Sequence, residues 1–406
     1  MTLNELRLES YRNYRDCSFT FDPGVNLILG DNAQGKTNLL EAIAYLGSGK
    51  SFRAQKTAEL IRFGCSCAQL EGKVFSQERE QSLRWVLFSG NRQRQLWRSG
   101  VKKKSAGDIA GVLPTVLFCP EDLMVLKAGA SQRRRLADSV LCQLTPNYAA
   151  AAPEYNRILE QKGRILKDRF ENPILLDLLP EYNARLCRVG AVLISYRARF
   201  FEALGKQAGE YHHRFSGGSE EFKLEYKTVS TVTDPQASID RLEENLREHL
   251  ESHSRAELES AQCLTGPHKD DFEITLSGTP LKAYGSQGQT RTAAISLKLS
   301  QRELMKREFG EEPVLLLDYV LSELDPGRQD FVLNQIDSGQ VFITCCEPGR
   351  FTKIGKTIKI DNGQLKIDNC PHGIEFPVIA SPTSGSLRTS PQTGVAISID
   401  RRKWPR

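Results

Sequence analysis

The chain has 406 residues, 39% hydrophobic and 26% charged, which suits a globular protein with two or three domains' worth of core. No apolar run approaches the roughly 20 residues of a membrane helix, and the net charge of +5 is compatible with an anionic partner without identifying one. The start, MTLNELRLESYRNYRD, has mixed charge and no apolar core, unlike a signal peptide. A cytoplasmic protein is expected.

In chain order, LNELRLESY and CSFTF alternate as strands do, and Val25–Gly30 is a short apolar run ending in glycine. GKTNLLEAIAYLG follows with helical spacing at Leu39, Leu40, Ile43, Ala44 and Leu46, and Gly47 is its expected stop. Residues 50 to 117 read as further strands, with Leu83–Phe88 and Gln95–Arg98 beside turn-like SGN and SG. From Pro120 to His213 the pattern is helical, and His212–His213 reads as surface. FKLEYKTV is strand-like and SIDRLEENLREHLESHSRAELESA is a charged helix. The chain then returns to β after Gly266, to a helix over Thr292–Phe309, and to strands at Val314–Leu317 and Val341–Thr344.

This order predicts an α/β fold with helical material inserted between its halves. The expected parts are 1–118 and 263–368 for the two α/β pieces, 119–262 for the helical lobe, and a disordered tail over 369–406, rich in Pro, Ser, Thr and Gly. The ten cysteines include the near neighbours Cys65 and Cys67 and the adjacent Cys345 and Cys346, but no CxxC pair and no Cys/His cluster of zinc spacing. They read as small buried residues of a reducing compartment.

Gly30-Asp31-Asn32-Ala33-Gln34-Gly35-Lys36-Thr37 fits the phosphate-loop pattern G-x-x-x-x-G-K-[ST]. The glycines let the loop curl so that its amides point inward. The helix N-terminus adds its dipole, Lys36 a point charge, and Thr37 a hydroxyl for Mg²⁺. Such a loop needs an acid at the end of a second strand, and PVLLLD supplies Asp318. Lys36 and Asp318 are far apart in sequence, so the chain between them must leave the nucleotide fold and return. Upstream of that strand, Ser286-Gln287-Gly288-Gln289 forms a second turn before a helix. One nucleotide does not need two cradles from one chain. The second is therefore expected to cap ATP bound to another copy in a two-fold dimer.

YRNY, GDNAQGKTNLLEAI, GKSFR, FCPEDL, SQRRRLAD, GPHKDD, YGSQGQTRT and LLLDYVLSELD, in this order over residues 1 to 367, resemble the RecF family. The resemblance implies an ABC/SMC-type P-loop ATPase head with an inserted helical lobe. It implies ATP and Mg as ligands, ATP-dependent dimerisation on DNA, and preference for junctions of single and double strands or gaps. Cooperation with RecO and RecR in loading RecA is implied too. By the motif match, Gly35, Lys36 and Thr37 would hold phosphate and Mg²⁺ and Asp318 would be the metal-side acid. Ser286 to Gln289 would be the signature, and Ser322 to Asp325 a loop at the dimer interface.

The departure from the pattern is Tyr319, which stands where the family has a second acid. Glu323 is the nearest substitute carboxylate on that segment. At most a weak, DNA-stimulated ATPase is expected, and a non-hydrolysing clamp is the alternative. An ABC-type transporter subunit would bring closer-spaced motifs and a switch histidine; Thr344 stands in that segment instead. Lys102, Lys103 and Lys104 on a predicted hairpin, with Arg92, Arg94, Arg98 and Trp97, and Arg133, Arg134 and Arg135 on a helix, are candidate DNA contacts. The triple Lys also suits a solvated turn, and the arginines could pair with acids of their own lobe.

Overall fold

The computed structural model describes residues 1–336, 338–346 and 355–366; the tail predicted over 369–406 lies outside them. In chain order, β1 (Thr2–Tyr11), β2 (Tyr14–Thr20) and β3 (Val25–Leu29) lead into α1 (Lys36–Ser48). Strands β4 (Cys67–Ser76), β5 (Arg79–Phe88), β6 (Gln95–Arg98), β7 (Val101–Lys103) and β8 (Thr115–Phe118) precede helices α2 (Ala130–Leu144), α3 (Pro146–Asp168) and α4 (Leu179–Ser216). Next come β9 (Phe222–Lys227), α5 (Ile239–Ser260), β10 (Asp271–Leu276), β11 (Thr279–Pro280), α6 (Leu281–Tyr284) and α7 (Gln287–Phe309). The remainder is β12 (Val314–Asp318), α8 (Pro326–Asn334), β13 (Val341–Cys345), β14 (Lys356–Asp361) and β15 (Gln364–Lys366).

The alternating N-terminal strands form an antiparallel sheet of order β2-β1-β4-β5-β6-β7. On β5, Leu83, Trp85 and Leu87 are buried while Arg84 is exposed, as a strand with one covered face requires. The second sheet has the order β15-β14-β3-β13-β12-β8, parallel except at β15. Both its faces are covered, which is why its strands read as unbroken apolar runs. Leu27, Leu29, Leu315, Leu317 and Ile343 face the core shared with the helices. Ile28, Leu316, Phe342 and Ile358 face α1 and the first sheet. Between β8 and β12 the chain leaves this sheet and builds α2 to α7 with a small sheet of order β11-β10-β9.

Three local expectations change. Helix α1 runs past Gly47 to a C-cap at Gly49. Gly47 serves close packing: a Cβ there would lie 2.1 Å from the Leu113 carbonyl oxygen. His212 is buried, because α4 carries it on the same face as Leu204 and Ala208. Its Nε2 lies 2.7 Å from a Glu220 carboxylate oxygen. Helix α7 begins at Gln287, five residues before the expected start, because Ser286 caps it and Gln289 completes a capping box.

GPHKDD lies at the centre of the helical region. Arg197 of α4 is 5% exposed and donates to Asp138 at 2.9 Å, to Asp270 at 2.8 Å and to the Pro267 carbonyl at 2.7 Å. Asp270 is fully buried and also accepts from Tyr226. Arg197→Ala leaves these carboxylates without their cation, so it should lower unfolding free energy by roughly 3–5 kcal/mol. Urea denaturation checks this against Lys206→Ala, whose exposed pair with Glu202 should be worth under about 1 kcal/mol.

Candidate nucleotide-binding site

Strands β3, β13 and β12 lie side by side and parallel, so their carboxyl ends open on one edge, where open α/β sheets bind ligands. The register sets Thr344 between Asp318 on one side and Ile28 on the other. Thus residues 281 positions apart meet: the Thr37 hydroxyl donates to Asp318 Oδ1 at 3.0 Å.

The loop from Gly30 to Gly35 leaves β3 and caps α1 with no side-chain hydrogen bond. The amides of Asn32, Ala33, Gln34 and Gly35 donate to no backbone carbonyl among the described residues. Together with the uncapped helix start they form a ring of donors suited to an anion. Gly35 has φ 117°, and a Cβ there would lie 2.5 Å from Asn13 Nδ2. Two residues of YRNY, Asn13 and Tyr14, for which no role was expected, hold the loop from behind. Asn13 Nδ2 donates to the Gln34 carbonyl at 2.8 Å, and the Tyr14 hydroxyl to the Gly35 carbonyl at 2.9 Å.

Lys36 is 2% exposed. Its amine donates to the carbonyls of Gly30 and, at 2.7 Å, of Asp31, and lies 5.1 Å from the centre of the Tyr319 ring. Burial lowers its pKa. Asp318 is also buried, and Oδ1 accepts from Thr344 at 2.8 Å as well as from Thr37. Burial pushes its carboxyl pKa up, and the two hydroxyls oppose the shift by bonding the charged form. A Thr hydroxyl touching a carboxylate at a phosphate cradle fits Mg²⁺, a hard cation that usually takes one or two protein oxygens and fills its shell with phosphate and water. No larger cluster of metal-ligating side chains occurs among the described residues.

Tyr319 follows Asp318 in the left-handed region, φ 55°. Its amide donates to Thr344 Oγ1 at 2.9 Å, and burial raises its phenol pKa further. Glu323 is exposed on the turn Val320–Glu323, outside the hydrogen-bonded set around Asp318. Behind burial and the two hydroxyls, Glu121 of FCPEDL, on the turn after β8, adds a minor upward push to the Asp318 carboxyl. Sequence reading had singled out that motif without assigning this acid a role.

Ser286 to Gln289 lie at the start of α7, with Ser286 and Gln287 exposed. Gln289 donates to Glu220 at 2.7 Å, and Arg328 to the Gly288 carbonyl at 3.2 Å. Their partners are thus the helical region and α8, and none of the hydrogen bonds among the described residues joins them to the phosphate loop of their own chain. Of the basic candidates, Lys102 and Lys104 are exposed and Lys103 half-buried on the β6–β7 hairpin and its exit. Arg135 is exposed on α2. Arg134 is half-buried and donates to the Asp270 carbonyl at 2.7 Å. Arg133 must be taken out of the DNA-facing set: it is 2% exposed and bidentate to Asp271 at 2.6 Å.

Residues 2–368 match the family model described as the RecF/RecN/SMC N terminal domain. The DNA replication and repair protein RecF of Agathobacter rectalis is 37% identical over 90% of this chain and 99% of its own. That of Ruminiclostridium cellulolyticum is 36% identical over 90% and 98%. A solved structure of the recombination mediator protein RecF with ATP, from the RecFOR pathway, superposes with a TM-score of 0.81 at 34% identity, covering 90% of this chain and 96% of that one. An Smc head bound to the C-terminal winged-helix domain of ScpA gives 0.51 at 16% identity, a likeness of fold alone.

Proposed function

Because the chain belongs to the RecF family, we propose that it is an ATP-dependent DNA-binding protein of replication and recombinational repair. In this reading the loop Gly30–Thr37 holds the phosphates of ATP, Lys36 supplies the charge, and Thr37 with Asp318 holds Mg²⁺. Bound Mg²⁺ would neutralise phosphate charge. Ser286 to Gln289 of one copy close over the ATP of the other, so two nucleotides sit between two chains. The dimer binds gapped DNA or junctions of single and double strands in the cytoplasm and, with RecO and RecR, helps load RecA.

The observation that carries this reading is the uncapped ring of amides beside the Thr37–Asp318 pair, with Gln289 and Gly288 bonded instead to Glu220 and Arg328. A site complete on one side and a matching half-site elsewhere is what a two-fold ATP sandwich requires. Family membership sets aside the transporter subunit. Tyr319 favours slow turnover, and at its limit a clamp that does not hydrolyse at all.

The test is equilibrium binding of the full chain to a gapped duplex at low salt. Affinity should rise at least about tenfold when ATP and Mg²⁺ are added, a coupling within the usual range of linked sites. No DNA binding at low salt with ATP present would sink the reading.

A further inference from the structure

The N-terminal antiparallel sheet buries one face against α1 and leaves the other open. On that open face, β5, β6 and β7 bring Arg84, Trp97 and Lys102 into one cross-strand row. The Arg84 guanidinium lies 5.3 Å and the Lys102 amine 5.8 Å from the Trp97 ring centre. Four residues along β5, which is roughly 13 Å of strand, Phe88 stands on the same face with Arg92 stacked 3.9 Å from its centre. Phe88 pairs with Cys67 at the start of β4. The turn just before that strand carries Phe63, at 103% the most exposed large apolar side chain in the described chain.

Cations and aromatic rings thus alternate along an uncovered sheet face. Glu71, paired with Arg84 across the strands, is the acid within the row, and the Lys102–Lys104 run extends the positive edge. A folded core does not need Phe63 or the outward rings. A duplex presents phosphates but keeps its base faces stacked inside. An unpaired strand presents both, and flat rings beside cations are what its bases and phosphates bind.

We propose that this open face binds the unpaired strand of DNA, its bases stacking on Trp97 and Phe88 and its phosphates meeting Arg84, Arg92 and Lys102. This rests on the DNA-binding reading and adds which DNA component the surface takes. It separates the cradle edge, which reads nucleotide, from a sheet face that reads single strands.

The probes are an oligothymidylate and a blunt duplex, each titrated onto the full chain with ATP and Mg²⁺. Trp97→Ala and Phe88→Ala should each weaken oligothymidylate binding by roughly tenfold or more, as loss of one stacked base does, while duplex affinity stays within about twofold. Trp97→Phe keeps a stacking ring and should restore most of the loss. Thermal unfolding of each variant shows whether the sheet is intact. Unchanged oligothymidylate affinity in both alanine variants, or equal loss on both probes, would overturn the proposal. Wild-type binding of duplex but not oligothymidylate would overturn it while leaving the DNA-binding reading standing. Binding of neither would remove both.

Discussion

Lys36→Met should lower ATP affinity by roughly a hundredfold or more, with the fold intact. The ammonium is enclosed, and its bonds now go to the Gly30 and Asp31 carbonyls at the mouth of the loop. An arriving phosphate offers this charge an anion, in a place where water screens little. Methionine fills a similar volume and donates nothing. Losing a charge-assisted contact in a desolvated site costs about 2–5 kcal/mol, and about 2.7 kcal/mol is already a factor of a hundred. Titration calorimetry with ATP and Mg²⁺ reads the affinity, and thermal unfolding of the free chain reads the fold. An unchanged affinity would mean that the loop amides alone hold the phosphates.

Tyr319→Asp should raise ATP turnover by roughly a hundredfold, the lower end of what a positioned acid–base group contributes. The wild-type phenol starts near a pKa of 10 in model peptides, and burial raises it further. At neutral pH it therefore cannot act as a carboxylate towards water. An Asp at 319 follows Asp318 at the end of β12, where the resemblance to the RecF family implies a second acid. The change also relieves the backbone, since φ 55° suits Asp better than Tyr. It removes the ring beside Lys36 as well, so KM must be measured separately from kcat. The expected gain is in kcat. If Tyr319→Asp is no faster than wild type, another group already polarises the water.

Local patterns carried much of this in the sequence. The run Val25–Leu29, the glycine-spaced loop and the helical spacing of α1 are contiguous, and each follows from backbone preference and one-face burial. Asp318 was legible because β12 is buried on both faces and ends in a charge. The family resemblance then placed the ATPase head and its inserted helices. What escaped depends on partners distant in sequence. The support that Asn13 and Tyr14 give to the loop, and the placing of Thr344 between two strands, come from sheet order. Arg133 showed its charge but not Asp271, which takes it out of solvent. His212 looked polar in a polar stretch, yet helical phase turned it inward. The side-chain caps at Ser286 and Gln289 start α7 inside the stretch that reads as a turn before it.

In the proposed function ATP joins two copies of this chain, and the joined state is long-lived because Tyr319 stands where the family resemblance implies a second acid. Sedimentation velocity of the wild-type chain with saturating ATP and Mg²⁺ addresses it most directly. The wild-type chain should convert to a dimer that outlasts the Tyr319→Asp dimer when free ATP is removed, while Lys36→Met stays monomeric. A wild-type chain that remains monomeric with ATP saturating would contradict it.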